Sequence, residues 1–342
     1  EGRRSLLGMS TDISTTYMGL SLPSPVIAGS SGVTSSVDNV KRLEDAGAGA
    51  VVLKSLFEEE IVAEMAKTQQ AMERPGFTFP ETADMDDFID DDSGMTTYLS
   101  LIDGAAKAVD IPVIASVNCI SARTWPSYAG MLEGAGADGI ELNVFLMPSD
   151  TSADDPVAFE HTYLEIVKAV QEQVKIPVSL KVSYHFTLLA RTLKRFSESG
   201  VAGLVLFNRF FNPDYDLGTL DVVPTNVLSS PELLHLSLRW VAIMSGRTAC
   251  DIAASTGVHG GDAVIKQLLA GAQVVQVASA LYREGIDTVT AMNQRLMEWM
   301  ESHTFHDLNA FRGRMAAKRM ADPAVYDRVQ FVRNYRGFSE EV

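Results

Sequence analysis

Cysteine is scarce: Cys119 and Cys250 are the two in 342 residues. They lie far apart and form no CxxC pair. A disulfide framework, a zinc ribbon and an iron–sulfur cluster are therefore not encoded here, and a reducing, cytoplasmic setting is expected. Positive charge is also in deficit, with 28 Lys+Arg against 44 Asp+Glu and a formal net charge of −16. Such a surface repels phosphate backbones and anionic lipid, so neither nucleic acid nor membrane is an expected partner. No apolar run reaches the ~18–20 residues that cross a bilayer. No Ser/Gly-rich tract divides the chain, so a single domain is expected over 11–342, ending in a charged tail from Arg312. Residues 1–10 carry Arg3 and Arg4 and then only Leu6-Leu7, too little for a signal-peptide core. They read as a tag or disordered leader around a start at Met9.

What the chain does have is core material, at 46% hydrophobic residues, and a repeated unit. A helical stretch ends in glycine, a small turn follows, then a β-branched run, then a polar residue. The unit appears as Gly47-Ala48-Gly49 before Ala50–Leu53 and Lys54, and as Gly134-Ala135-Gly136 before Gly139–Leu142 and Asn143. It returns as Gly200 before Gly203–Phe207 and Asn208, and as Gly271-Ala272 before Val274–Ala278 and Ser279. Glycine stops a helix because it takes the left-handed conformation without a Cβ clash. Four more apolar runs, Pro25–Ala28, Pro112–Val117, Pro177–Val182 and Ala249–Ala254, bring the strand total to eight. Between them, Val37–Ala46, a helix opened by Asp155-Pro156, Thr187–Ser199 and Ile286–Met300 carry apolar residues at helical spacing. Eight strands alternating with helices specify a (β/α)8 TIM barrel, with a doubly wound open sheet as the alternative. Two segments, Leu56–Asp110 after strand two and Arg209–Met244 after strand six, are long enough to be lid or wall insertions.

In such barrels chemistry sits at the C-terminal ends of the strands. Standing there are Ser30, Ser31, Gly32, Lys54, Ser55, Asn118, Asn143, Lys181, Asn208, Thr256, Gly257, Ala278 and Ser279. Lysines at buried strand ends need an anionic partner. The small-residue turns at Ser255–Val258 and Ala278–Ala280 offer backbone N–H groups after strands seven and eight, the usual phosphate position of this fold. A phosphate cradle with Lys and Asn side chains suits FMN lying across the mouth, where a lysine near N1 and C2=O stabilises reduced flavin and asparagines bond its polar edge. The alternative is a non-redox barrel, aldolase- or isomerase-like, that binds a phosphorylated metabolite and uses Lys54 or Lys181 for a Schiff base.

The segments Met18-Gly19-Leu20, Pro23–Ala28, Ser30–Val33, Val52–Ser55, Ser116–Asn118, Gly139–Asn143, Val178–Lys181 and Phe207-Asn208, in that order, resemble the dihydroorotate dehydrogenase family. The likeness extends over about Met18 to Met300. It implies an FMN-dependent barrel of pyrimidine biosynthesis, acting on a small ring compound by hydride transfer between a C–C bond and flavin N5. By position, it implies that Ser30, Ser31 and Gly32 line the flavin and that Lys54 lies between flavin and substrate with Ser55 beside it. It implies flavin contacts for Asn118, Asn143 and Lys181, and substrate contacts for Lys54, Asn143 and Asn208. Thr256-Gly257 and Ala278-Ser279 are implied as the phosphate cradle.

Two departures bear on the chemistry. The family's segment after strand four runs Asn, apolar, Ser, then Cys or Ser near Pro-Asn, and a nearby loop Cys or Ser acts as the base. Here the run is Asn143-Val144-Phe145-Leu146-Met147-Pro148-Ser149-Asp150, and Phe145, Leu146 and Met147 cannot take a proton. Ser149 and His185 are the replacement candidates. The family's substrate loop after strand two is also not visible. An acidic segment, 81–92, occupies that region and reads as a solvated loop rather than a divalent-ion site; no metal is expected. A homodimer is the general expectation for a soluble enzyme of this kind.

Overall fold

A computed structural model describes residues 11–57, 94–119, 125–144, 146, 158–209, 212–225, 227–321 and 326. Eight barrel strands are formed: β1 (Val26–Ala28), β2 (Ala50–Val52), β3 (Val113–Cys119), β4 (Gly139–Val144), β5 (Val178–Val182), β6 (Gly203–Leu206), β7 (Asp251–Ala254) and β8 (Val274–Val277). Each pairs in parallel with its sequence neighbour, and β8 pairs back to β1, closing the ring. The TIM barrel expected from the eight apolar runs is thus the fold. Leu56–Phe57, just past β2, pairs a second time with β3.

Helices cover the outside: α1 (Val37–Asp45), α2 (Gly94–Ala108), α3 (Trp125–Gly134), α4 (Ala158–Gln171), α5 (Leu189–Ser197), α6 (Leu234–Met244), α7 (Gly261–Ala270), the short α8 (Ser279–Glu284) and α9 (Thr288–Ser302). Their starts and stops follow local chemistry. The Ser36 hydroxyl caps α1 by accepting the Asn39 N–H. Gly271 ends α7 at φ +116°, where a side chain is strained. The Val40 and Leu43 face of α1 is fully buried, as the spacing predicts.

The two long insertions resolve differently. The described part of Leu56–Asp110 contains α2, the ordinary crossover helix of the second unit. The segment after β6 forms an antiparallel hairpin, Asn212–Tyr215 with Val222–Thr225, before α6. The hairpin is exposed, with Leu217 and Leu220 at its tip 87% and 84% accessible.

A second hairpin, Thr15–Tyr17 with Leu20–Leu22, turns through Met18 and Gly19 at positive φ. Such a turn matches the twist of a two-residue hairpin. It plugs the N-terminal end of the barrel. Tyr17, Met18 and Leu22 pack there with Ile27, Ala50, Val52, Ile114, Val205, Ala253 and Val274, which form the inner core. The Met18 N–H donates to Asp251 Oδ2 at 2.9 Å, fixing the plug to β7. Burial holds the Asp251 carboxyl above its usual range, opposed by that N–H and by Arg312. The larger core lies between the strands and the helices.

The plug needs a glycine opposite it. A Cβ on Gly203 of β6 would sit 2.7 Å from the Tyr17 hydroxyl oxygen. The substitution Gly203→Ala is expected to destabilise the fold by about 1–3 kcal/mol through overpacking. Denaturant unfolding checks this, with a lowered midpoint at unchanged slope as the expected result.

Candidate active site

The register of the parallel strands sets three polar side chains at one height. Asn118 on β3 is opposite Asn143 on β4, and Asn143 is opposite Lys181 on β5. Two residues nearer the barrel base, Ser116, Glu141 and Ser179 form the next layer. Side chains two apart on a strand share a face, so both layers project into the barrel. Asn118, Glu141, Ser179 and Lys181 are buried there.

A charged pair is the centre of this interior. The Lys181 Nζ lies 3.2 Å from Glu141 Oε1 and 3.2 Å from Gln276 Oε1 on β8. The Gln276 amide donates to the other Glu141 oxygen and completes a triangle across the barrel. Two of the three Lys181 N–H bonds are thereby used, and Lys181 also lines the cleft above. An ion pair this deep holds only when both charges are hydrogen-bonded, because neither can recover its water.

The cleft encloses about 500 Å³ at the C-terminal mouth. Ser30 and Ser31 line it from β1, Asn208 and Arg209 from β6, Thr256 and Gly257 from β7, and Ala278 and Ser279 from β8. Most of the residues expected to hold a cofactor therefore do converge. Gly32 reaches the cleft through its N–H, which donates to the hydroxyl of Tyr282, a lining residue, at 2.5 Å. A Cβ on Gly32 would come within 2.7 Å of that hydroxyl. Ser55 supports the wall from behind: its N–H donates to Ser30 Oγ at 2.9 Å, and its hydroxyl lies 3.0 Å from Ser30 Oγ and 2.7 Å from Ser116 Oγ.

Several donors belonging to the residues that line this space are unused. The Ser31 hydroxyl is buried without a partner. Among the described residues, the N–H groups of Thr256, Ala278 and Ser279 carry no hydrogen bond. Thr256 and Gly257 both take positive φ, which tilts the turn after β7 out of the sheet. A Cβ on Gly257 would fall 2.1 Å from the Leu234 nitrogen, so only glycine lets the start of α6 close against this turn. Ser229 completes this corner. It receives the Gly257 N–H at 3.4 Å, donates its own N–H to Ser279 Oγ at 2.9 Å, and lies 3.1 Å from His259 Nε2. Burial, with Arg283 nearby, holds His259 below its usual range.

Asn208 and Asn143 are joined directly, the Asn208 amide donating to Asn143 Oδ1. Asn118 makes no side-chain hydrogen bond among the described residues. Lys54 departs from the expectation of a buried strand-end lysine. β2 ends at Val52, and Lys54 is exposed beyond it, with no side-chain partner among the described residues. His185 stacks on Tyr184 at 4.4 Å and stands outside the lining of the cleft. Ser149, the acidic segment 81–92 and the altered run at Phe145 and Met147 lie outside the described residues.

Sequence reasoning passed over Ser116, Ser229, Gln276 and Tyr282 as site residues. Glu141 and Gln276 carried a usable signal, because a polar residue inside an apolar strand has to meet a partner. A second cleft of about 550 Å³ lies at the plugged end, lined by Asp12, Thr15, Leu22, Asp307 and Arg312. It contains none of the strand C-terminal groups.

The family model described as dihydroorotate dehydrogenase matches residues 12–300. A dihydroorotate dehydrogenase B (NAD(+)) catalytic subunit from Thermoplasma volcanium is 26% identical over 318 residues, spanning 90% of this chain and 100% of that protein. The protein of the same description from Methanothermobacter thermautotrophicus is 24% identical over 309 residues, spanning 88% and 97%. A dihydroorotate dehydrogenase A (fumarate) from Lacticaseibacillus paracasei is 26% identical over 186 residues, spanning 52% of this chain and 62% of that protein. The match begins ahead of the plugging hairpin and runs into α9, taking in every barrel strand: the chain belongs to the dihydroorotate dehydrogenase family.

Proposed function

We propose that this chain is an FMN-dependent oxidoreductase acting on a C–C bond of a small ring compound. The observation that carries the reading is the donor set of one cleft: a lysine with a remaining N–H, a buried unpartnered Ser31 hydroxyl, and unused N–H groups at the ends of β7 and β8. That set matches a ligand with an acceptor-rich ring at one end and a phosphate at the other. FMN, when bound, supplies the hydride-exchanging ring that no side chain can supply.

Each residue then has a physical task. Thr256, Gly257, Ala278 and Ser279 hold the phosphate through backbone N–H groups, and Ser229 with His259 closes that end. Ser30, Ser31 and Gly32 line the ring. Lys181, fixed by Glu141 and Gln276, presents its last N–H to the ring's acceptor edge, and Asn118 and Asn143 offer amides beside it. Asn143 and Asn208, bonded to each other, face the substrate, and Lys54 reaches between flavin and substrate, with Ser55 bracing Ser30 from behind. Ser149 and His185 stay as proposed proton carriers, since the run Asn143–Asp150 lacks a Cys or Ser where the family has its base. That lack favours a ring compound related to dihydroorotate over dihydroorotate itself. The names of the relatives carry NAD(+) and fumarate, and a soluble acceptor of that kind is proposed here. Schiff-base chemistry at Lys181 is disfavoured, because its amine is already held by Glu141 and Gln276.

Titration of the purified chain with FMN is expected to give a one-to-one complex with a shifted flavin spectrum, and no complex overturns the reading. Lys181→Met removes a charged donor worth about 1.5–3 kcal/mol, roughly ten- to a hundredfold in FMN affinity. It also leaves Glu141 buried without its cation, at a cost of about 3–5 kcal/mol in stability. Binding and unfolding measurements on the variant read the two losses separately. Anaerobic mixing of the flavin-loaded chain with dihydroorotate decides between substrates: the flavin is expected to keep its colour, and bleaching assigns dihydroorotate oxidation instead.

A further inference from the structure

The hydroxyl groups of Ser116, Ser55 and Ser30 form a chain from the barrel core to the cleft. From the geometry we infer that this chain is polarised outward, making Ser30 a fixed hydrogen-bond donor to a carbonyl or ring-nitrogen acceptor of the bound flavin. The inference rests on the proposed flavin reading and deepens it.

The direction follows from counting protons. Ser116 Oγ is fully buried and has Ser55 Oγ at 2.7 Å as its one partner among the described residues. If Ser55 donated to Ser116, the Ser116 proton would lie in the core with no acceptor. If Ser116 donates to Ser55, its proton is satisfied, and Ser55 passes its own proton to Ser30 Oγ at 3.0 Å. The cost of a stranded buried donor favours the second arrangement by roughly tenfold or more. Ser30 Oγ already accepts the Ser55 N–H at 2.9 Å. It is then a double acceptor, and its own proton is left to point into the cleft that it lines.

The inner end of the chain is closed. The Tyr98 hydroxyl accepts the Ser116 N–H at 2.7 Å and donates to the Ser116 carbonyl at 2.9 Å, so both its functions are spent on the backbone. Burial pushes the Tyr98 phenol far above its ordinary range, so it stays neutral. A hydroxyl chain that ends in the core orients a proton and cannot export one. Ser30, Ser55 and Ser116 are therefore not the missing base. Ser55 and Ser116 act as positioning residues, and the Ser55 and Ser30 donors are each strengthened by the hydroxyl bond that they accept.

The midpoint potential of the bound flavin tests this, because a donor to the ring stabilises the reduced state. Ser30→Ala is expected to lower the potential, with about a tenfold or greater change in the reduction equilibrium. Ser116→Ala is expected to lower it by a smaller amount without touching the ligand, since the Ser30 proton is then shared between Ser55 and the ring. Ser116→Thr, which keeps the hydroxyl, is expected to restore it. A potential unchanged in Ser30→Ala overturns the donor assignment even if Ser116 variants fold poorly. An unchanged potential in a folded Ser116→Ala overturns the polarised chain. A wild-type chain that binds no flavin instead defeats the underlying reading.

Discussion

Placing a lysine and a glutamate inside a barrel of apolar strands is the constraint from which the site is built. Neither charge can be hydrated there, so Glu141, Lys181 and Gln276 bind one another across three strands. The triangle ties β4, β5 and β8 at one level. It leaves the lysine with a single outward N–H and a fixed aim. The same strands lift Asn143 to the level of Lys181, and the Asn143–Asn208 bond carries the polar layer on to β6. Removing the triangle would alter the mouth as well as the core.

Around that centre the fold divides labour by end. The base is closed by an apolar plug, with Tyr17 against Gly203 and Met18 held by Asp251. The mouth is built of serines, asparagines, glycines and free backbone N–H groups, which suits a ligand that brings its own charge. Gly257 serves the mouth in two ways. It lets α6 pack tightly while turning the β7 terminus toward the cleft.

Much of this was readable from the chain. The apolar runs located all eight strands to within a few residues, because a parallel barrel buries both faces of each strand and is punctuated by Pro and Gly. The strand-end positions of Ser30, Lys181, Asn208, Thr256 and Ser279 followed from the same rule. What stayed hidden depends on contacts between distant segments. Tyr282 meets Gly32 across 250 residues, and Gln276 meets Glu141 across 135. No periodicity records such meetings. Lys54 reads as buried because it follows an apolar run, yet the strand ends two residues earlier and leaves the side chain in solvent. Tyr98 belongs to α2 and looks like ordinary helix packing until its hydroxyl is found on the backbone of Ser116.

The plugging hairpin also makes the two ends of the barrel unlike in access. With the base of the barrel filled by Tyr17, Met18 and Leu22, the interior formed by the described residues opens toward the cleft at the mouth. On the proposed flavin reading, a reductant and an oxidant that both need the same face of the ring would have to alternate. Closure of the base by Tyr17, far from the cleft, would thereby bear on the order of events at the mouth.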